Sequence, residues 1–135
     1  MRRLLLAVLV PSLLVIASIA HATTGDDLLS GVPVPPDSKA LGTQTLSSGG
    51  QQASYSTATS PSGVIASYKQ ALPTAGWTVT GGGGGGVSYG GGAGLQATNG
   101  PKYLSVNAGG PAGLTFVNVC VWPSKPGNDS CGEND

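Results

Sequence analysis

Reactive side chains are scarce in this 135-residue chain, and their placement excludes more chemistry than it permits. The only histidine, His21, lies in a segment that reads as a removable leader, so a Ser-His-Asp or Cys-His arrangement has no base to draw on. The six carboxylates are Asp26, Asp27, Asp37, Asp129, Glu133 and Asp135, and none falls between Ser38 and Asn128. Hydrolysis of a glycoside by paired acids would therefore need the two ends of the chain to converge on one bond. Regularly spaced acids for a calcium loop are absent, and two cysteines alone do not make a zinc site. A Ser-Lys dyad of the S-x-x-K type fails as well, because the residues three before the lysines are Pro36, Ala66, Asn99 and Trp122. What is left is unusual Tyr, Ser or Lys chemistry, for which Lys69 beside Tyr68 is the candidate. A lysine on the polar side of a helix is ordinarily a solvated charge, so the expectation is a non-catalytic protein without cofactor or metal.

The glycines invite a second reading. Gly81 to Gly86 are consecutive, and Gly90, Gly91, Gly92 and Gly94 follow. A G-x-G-x-x-G pattern matches any such run, and neither Gly-Lys-Ser/Thr nor a helix start comes after it, so nothing aims amides at a phosphate. The run is expected to be a flexible connection leading to a short strand near Val87 to Tyr89.

The elements that position these residues are clearer. In Ser60 to Val79, Thr59 or Ser60 can cap a helix whose first position is Pro61. Val64, Tyr68, Leu72 and Ala75 recur at helical spacing, with Ile65 and Ala71 beside them, and Gly76 is the expected left-handed stop. Pro73 predicts a kink or a loosened last turn. Trp77 and Val79 then alternate with Thr78 and Thr80 as in a strand. Val32-Pro33-Val34-Pro35-Pro36 is extended and cannot enter a sheet interior. Two polar strands, near Leu41 to Leu46 and Ala53 to Thr59, flank the turn Ser48-Gly49-Gly50-Gln51. Leu95 to Thr98 and Lys102 to Ala108 flank Asn99-Gly100-Pro101. In Leu114 to Trp122, Val117, Val119 and Val121 mark one face, and Phe116, Cys120 and Trp122 make the other apolar too, so this strand belongs at the centre or under two covers. The fold expected is α+β, a single helix on one face of a mostly antiparallel sheet in β-β-α-β-β-β order, with room for one further strand.

Arg2 and Arg3 before the apolar run from Leu4 to Ala17, and the small-x-small pattern Ala20-His21-Ala22, predict a secretory leader cleaved after Ala22. The apolar run is short for a bilayer span and is interrupted by Pro11 and Ser12, and no cysteine near the cleavage site offers a lipid anchor. Residues 1–22 are thus read as leader, 23–38 as a Pro-rich lead-in, 39–122 as the domain and 123–135 as a tail. In an oxidising compartment Cys120 and Cys131 are the natural disulfide, stapling that tail to the central strand. Lys39, Lys69, Lys102 and Lys125 are too few and too scattered to neutralise phosphates, which disfavours nucleic acid, and no basic amphipathic helix suits a membrane surface.

The order of a P-x-P segment at Pro33 and Pro35, a Ser/Thr-rich hairpin with Tyr55, and V-x-x-x-Y-x-x-x-L-x-x-x-G-W at Val64, Tyr68, Leu72, Gly76 and Trp77 resembles that of small bacterial exported proteins and lipoproteins. The T-x-V-x-V strand, here Thr115 to Val119, extends the resemblance across roughly Val32 to Trp122. It implies a bacterial host and an envelope or secreted address, and it carries no activity. The chain departs from the lipoprotein members in lacking the lipid-bearing cysteine and in adding the glycine run and the cysteine-closed tail. The expected role is a binding module of the bacterial envelope. It would contact a protein, peptide or glycan through its sheet face, an edge strand or Trp122, with an enzyme of Tyr/Ser/Lys chemistry as the alternative.

Overall fold

The computed structural model describes residues 27–85 and 92–132. The leader expected at 1–22 and the strand expected near Val87 to Tyr89 lie outside the described residues. Six strands and one helix follow in the order β1 (Ser38–Thr45), β2 (Gln51–Thr57), α1 (Pro61–Thr74), β3 (Thr78–Gly85), β4 (Gly92–Asn99), β5 (Lys102–Gly109) and β6 (Thr115–Trp122). They form a single antiparallel sheet in the order β1-β2-β6-β5-β4-β3, so the polar early hairpin extends the sheet as β1 and β2. β6 closes back between β2 and β5, away from both edges, as its two apolar faces require.

The helix begins and ends where its capping residues dictate. Ser60 stays extended, and its Oγ accepts the Gly63 amide at 3.2 Å, with Pro61 at the first position. At the other end Gly76 takes φ +92°. Its amide donates to the Pro73 carbonyl at 3.2 Å, and the Trp77 amide reaches the Leu72 carbonyl at 2.9 Å, the paired bonds of a Schellman stop. Pro73 falls inside this last turn, where one missing donor is tolerated and the helix still reaches Thr74. Val64, Ile65, Tyr68 and Leu72 are buried, whereas Ala75, expected on the same stripe, is the exposed C-cap.

The inner face of the sheet receives α1, which packs on β3, β4 and β5. The register sets Ala97, Leu104 and Val121 in one row and Leu95, Val106 and Val119 in the next, all essentially without solvent exposure. Each such aliphatic side chain contributes about 1.5–3 kcal/mol on burial. Toward β2 the Pro-rich lead-in adds to the cover. Tyr68 Oη donates to the Pro33 carbonyl at 2.8 Å, Thr57 Oγ1 donates to the Pro36 carbonyl at 2.8 Å, and Leu28 completes the core from beneath.

The glycine run is the main departure from expectation. Gly81 to Gly85 do not form a loose connection: they continue β3 and pair with β4 from Gln96 to Gly92, after a bulge between Val79 and Gly81. Main-chain hydrogen bonding to a neighbour supplies the order that the missing side chains do not. Gly82 is obligatory in this arrangement, because its φ is +123° and a Cβ there would lie 2.5 Å from the Gly94 carbonyl oxygen and 2.6 Å from Leu95 Cα. Gly82→Ala should lower the unfolding free energy by more than about 1 kcal/mol. Gly92→Ala, with nothing within 4 Å of the added methyl, should stay within about 0.5 kcal/mol in the same urea titration.

Candidate functional site

The outer face of the sheet carries a graded series of environments along one strand. From one end of β6 to the other, Trp122, Cys120, Asn118 and Phe116 point to this face. Trp122 and Cys120 are at most 1% exposed, Asn118 is half-buried and Phe116 is 45% exposed. The closed end is a second core of Leu46, Tyr103, Cys120, Trp122 and Cys131. Its cover is the chain after β6, folded back and held by the Cys120–Cys131 disulfide. Tyr103 Oη donates to Asp129 Oδ2 at 2.7 Å, and Lys125 Nζ lies 5.7 Å above the Tyr103 ring. Asn107 Nδ2 donates to the Cys131 carbonyl, fixing the far end of the tail. Burial, and after it the hydrogen bond to Asp129 and that carboxylate's charge, pushes the Tyr103 phenol up to about 12.

Trp122, expected as a contact for a partner, is in fact part of this core. Its indole N–H donates to Ser48 Oγ at 2.9 Å, its ring tilts against Tyr103 at 6.1 Å between centroids, and the turn at Gly50 lies flush against it. The strand that carries Trp122 is apolar on both faces because a tail covers the second one, so the indole offers no outward surface.

Beside Gly132 of the tail a shallow trough opens, with a volume of about 410 Å³, comparable with small-molecule sites of roughly 300–1,000 Å³. Its floor is Gln52, Ser54 and Asn118, its near wall is Leu41 to Gln44 on the exposed edge strand β1, and its end wall is Gly132. The register explains the grouping, since Gly42, Ser54 and Asn118 lie directly across from one another, as do Gln44, Gln52 and Cys120. Gly132 allows the tail to ride over the amide: its φ is +97°, and a Cβ there would fall 2.6 Å from Asn118 Nδ2.

Hydrogen bonds preset the floor. Asn118 Oδ1 accepts from Ser54 Oγ at 2.8 Å and from Gln52 Nε2 at 3.3 Å, and Gln52 Nε2 also meets Ser54 Oγ at 3.2 Å. Both donors converge on Oδ1, which leaves Asn118 Nδ2 turned away from them. Gln52 is only 7% exposed, and its Oε1 lies 3.5 Å from Cys120 Sγ, a disulfide sulfur with no proton to donate. No lining residue titrates in the ordinary range, so the trough can hold and orient a ligand by donors and acceptors but has no general acid or base.

The residues weighed for catalysis lie elsewhere. Lys69 is exposed on the helix. Tyr68 is buried with its hydroxyl committed to Pro33, and burial, reinforced by Tyr55, pushes its phenol far above the ordinary range. Sequence reasoning missed the trough, although Gln52-x-Ser54-x-Ser56 is a polar stripe of period two. Compared with known proteins, the chain matches no family model, no curated protein and no solved structure.

Reduction of the disulfide frees the tail, and the stability lost should be roughly 3 kcal/mol, read as a lower thermal midpoint with a red-shifted indole emission. Tyr103 gives a second outcome. Its folded pKa is raised, so its contribution is complete below the unfolded value of about 10 and is lost as pH rises toward about 12. Tyr103→Phe should remove a phenolate transition near the top of this window and flatten that part of the stability decline.

Proposed function

We propose that this protein is an exported, non-catalytic binding module, and that the trough on its outer sheet face holds an uncharged, polar ligand. The observation that carries the reading is the composition of the trough. Amides, hydroxyls and glycine line it, and a hydrogen-bond network presets its floor. A group of fixed donors and acceptors without charge favours a ligand of matching donors and acceptors, and its binding should depend little on ionic strength. The catalytic alternative draws no support from the geometry. Tyr68 cannot give up its proton near neutral pH, and Lys69 sits on the solvent side of the helix, remote from the trough lining.

An exported address accords with the disulfide, which persists in oxidising compartments, and with the leader read at residues 1–22. No helix among the described residues is long and apolar enough to cross a membrane. A bacterial envelope is the setting that the sequence resemblance implies. Expression in a bacterial host should yield a protein beginning at Thr23 in the periplasm or medium, by N-terminal sequencing; an unprocessed chain kept in the cytosol would overturn the address.

The binding role is testable with isotope-labelled protein titrated against neutral oligosaccharides, neutral peptides and their charged counterparts. The side-chain amides of Gln44, Gln52 and Asn118 should shift saturably with an uncharged ligand, by the same amount at low and high salt. Turnover of any of these ligands, or shifts confined to the charged ones, would contradict the proposal.

A further inference from the structure

We infer that the ligand of the trough is a neutral saccharide, one sugar ring stacked on Phe116 and the hydroxyls of the adjoining ring held by Asn118, Ser54 and Gln52. The inference rests on the reading of the trough as a binding site and narrows it to a ligand class.

Phe116 stands on the same face of β6 as Asn118, two residues along, which places the ring about one sugar's length, roughly 6–7 Å, beyond the amide floor. It is 45% exposed, and its neighbours across the sheet are small, Ser56 on one side and Gly109 on the other. No large side chain crowds it in the register. An aromatic ring offers its face to the C–H edges of a pyranose, while a planar amide presents a donor and an acceptor at once, matching vicinal hydroxyls that are each both. Asn118 Nδ2 supplies the donor, and Gln52 Oε1 the acceptor for a sugar hydroxyl. Leu41, 53% exposed, adds an apolar contact from the β1 wall.

The described lining residues carry no charge, which argues against a phosphate or carboxylate as the main handle. Lys39 pairs with Ser56 and so stands two strands from Phe116, outside the lining. The rival occupant, an extended peptide added to a sheet edge, meets a bulge on each side. β1 shifts register between Ala40 and Gly42, and β3 between Val79 and Gly81, and bulges of this kind blunt edges against strand addition.

The test is calorimetric titration of the full mature chain with neutral glucan and chitin oligosaccharides and, separately, with neutral Ser/Gln-rich peptides. It is repeated on Phe116→Ala, Phe116→Tyr and Gln44→Ala, whose exposed positions should leave the thermal midpoint within a few degrees of the parent. A saccharide should bind independently of salt, Phe116→Ala should weaken it about tenfold, and Phe116→Tyr should retain it. Peptide binding that is lost in Gln44→Ala but indifferent to Phe116→Ala would overturn the saccharide and leave the binding module standing. A saccharide that binds only with salt-sensitive affinity abolished by Lys39→Ala would overturn its neutrality. Binding of neither set would overturn both readings.

Discussion

β6 is apolar on two faces, and a strand of that kind is stable in water only under two covers. Val117, Val119 and Val121 find theirs in the helix and the Pro-rich lead-in, an ordinary two-layer solution with a continuous core. Cys120 finds its cover in the short stretch after the strand itself, and Trp122 in the turn at Ser48 and Gly50, with Tyr103 and Leu46 beside them. Such a stretch has little apolar surface of its own to hold it down. Its order depends on tethers, namely the disulfide, the bond from Tyr103 to Asp129 and the bond from Asn107 to the Cys131 carbonyl.

The outer face divides into a dry half and a wet half. Along β6 the division falls between Cys120 and Asn118, one step of the alternation. Trp122 and Cys120 lie on the dry side, Asn118 and the exposed Phe116 on the wet side. The magnitudes suit this division. The disulfide tether is worth roughly 3 kcal/mol, more than any one hydrogen bond of the tail. The tail that closes the second core thus also secures the end wall of the trough, and a polar floor can persist beside a well-packed core.

Local rules were legible in the sequence where one residue controls one piece of backbone. Ser60 and Gly76 delimit the helix, Asn99-Gly100-Pro101 joins β4 to β5, and the alternation of Val117 to Trp122 places β6 inside the sheet. The glycine run was misread for a physical reason. Composition reports the flexibility of Gly81 to Gly85 in isolation, but pairing with β4 is decided by a partner further along the chain. The burial of Trp122 is likewise decided by distant partners, the turn at Ser48 and Gly50 and the Tyr103 ring. The trough was the least legible feature. Gln44, Gln52, Ser54 and Asn118 come from three strands, and only the order β1-β2-β6 makes them neighbours.

The placing of polar groups in so charge-poor a domain has its own physical logic. A core needs no amides, and a solvated face would be served as well by lysine and glutamate, which the sheet almost wholly lacks. On the outer face Gln52 is nevertheless buried and bonded to Ser54, with Asn118 held between them, an arrangement that restrains three side chains and gains little over water for each. Restraint of this sort is unhelpful to a merely solvated surface, since the side-chain entropy is lost for a small net return. It is useful to a site that must present donors and acceptors already oriented, because the ordering cost is then met on folding and not at each encounter with a ligand. Among the described lining residues, the lack of charge and the presence of fixed amides are therefore two sides of one property, and both suit the proposed recognition of a hydrogen-bonding pattern.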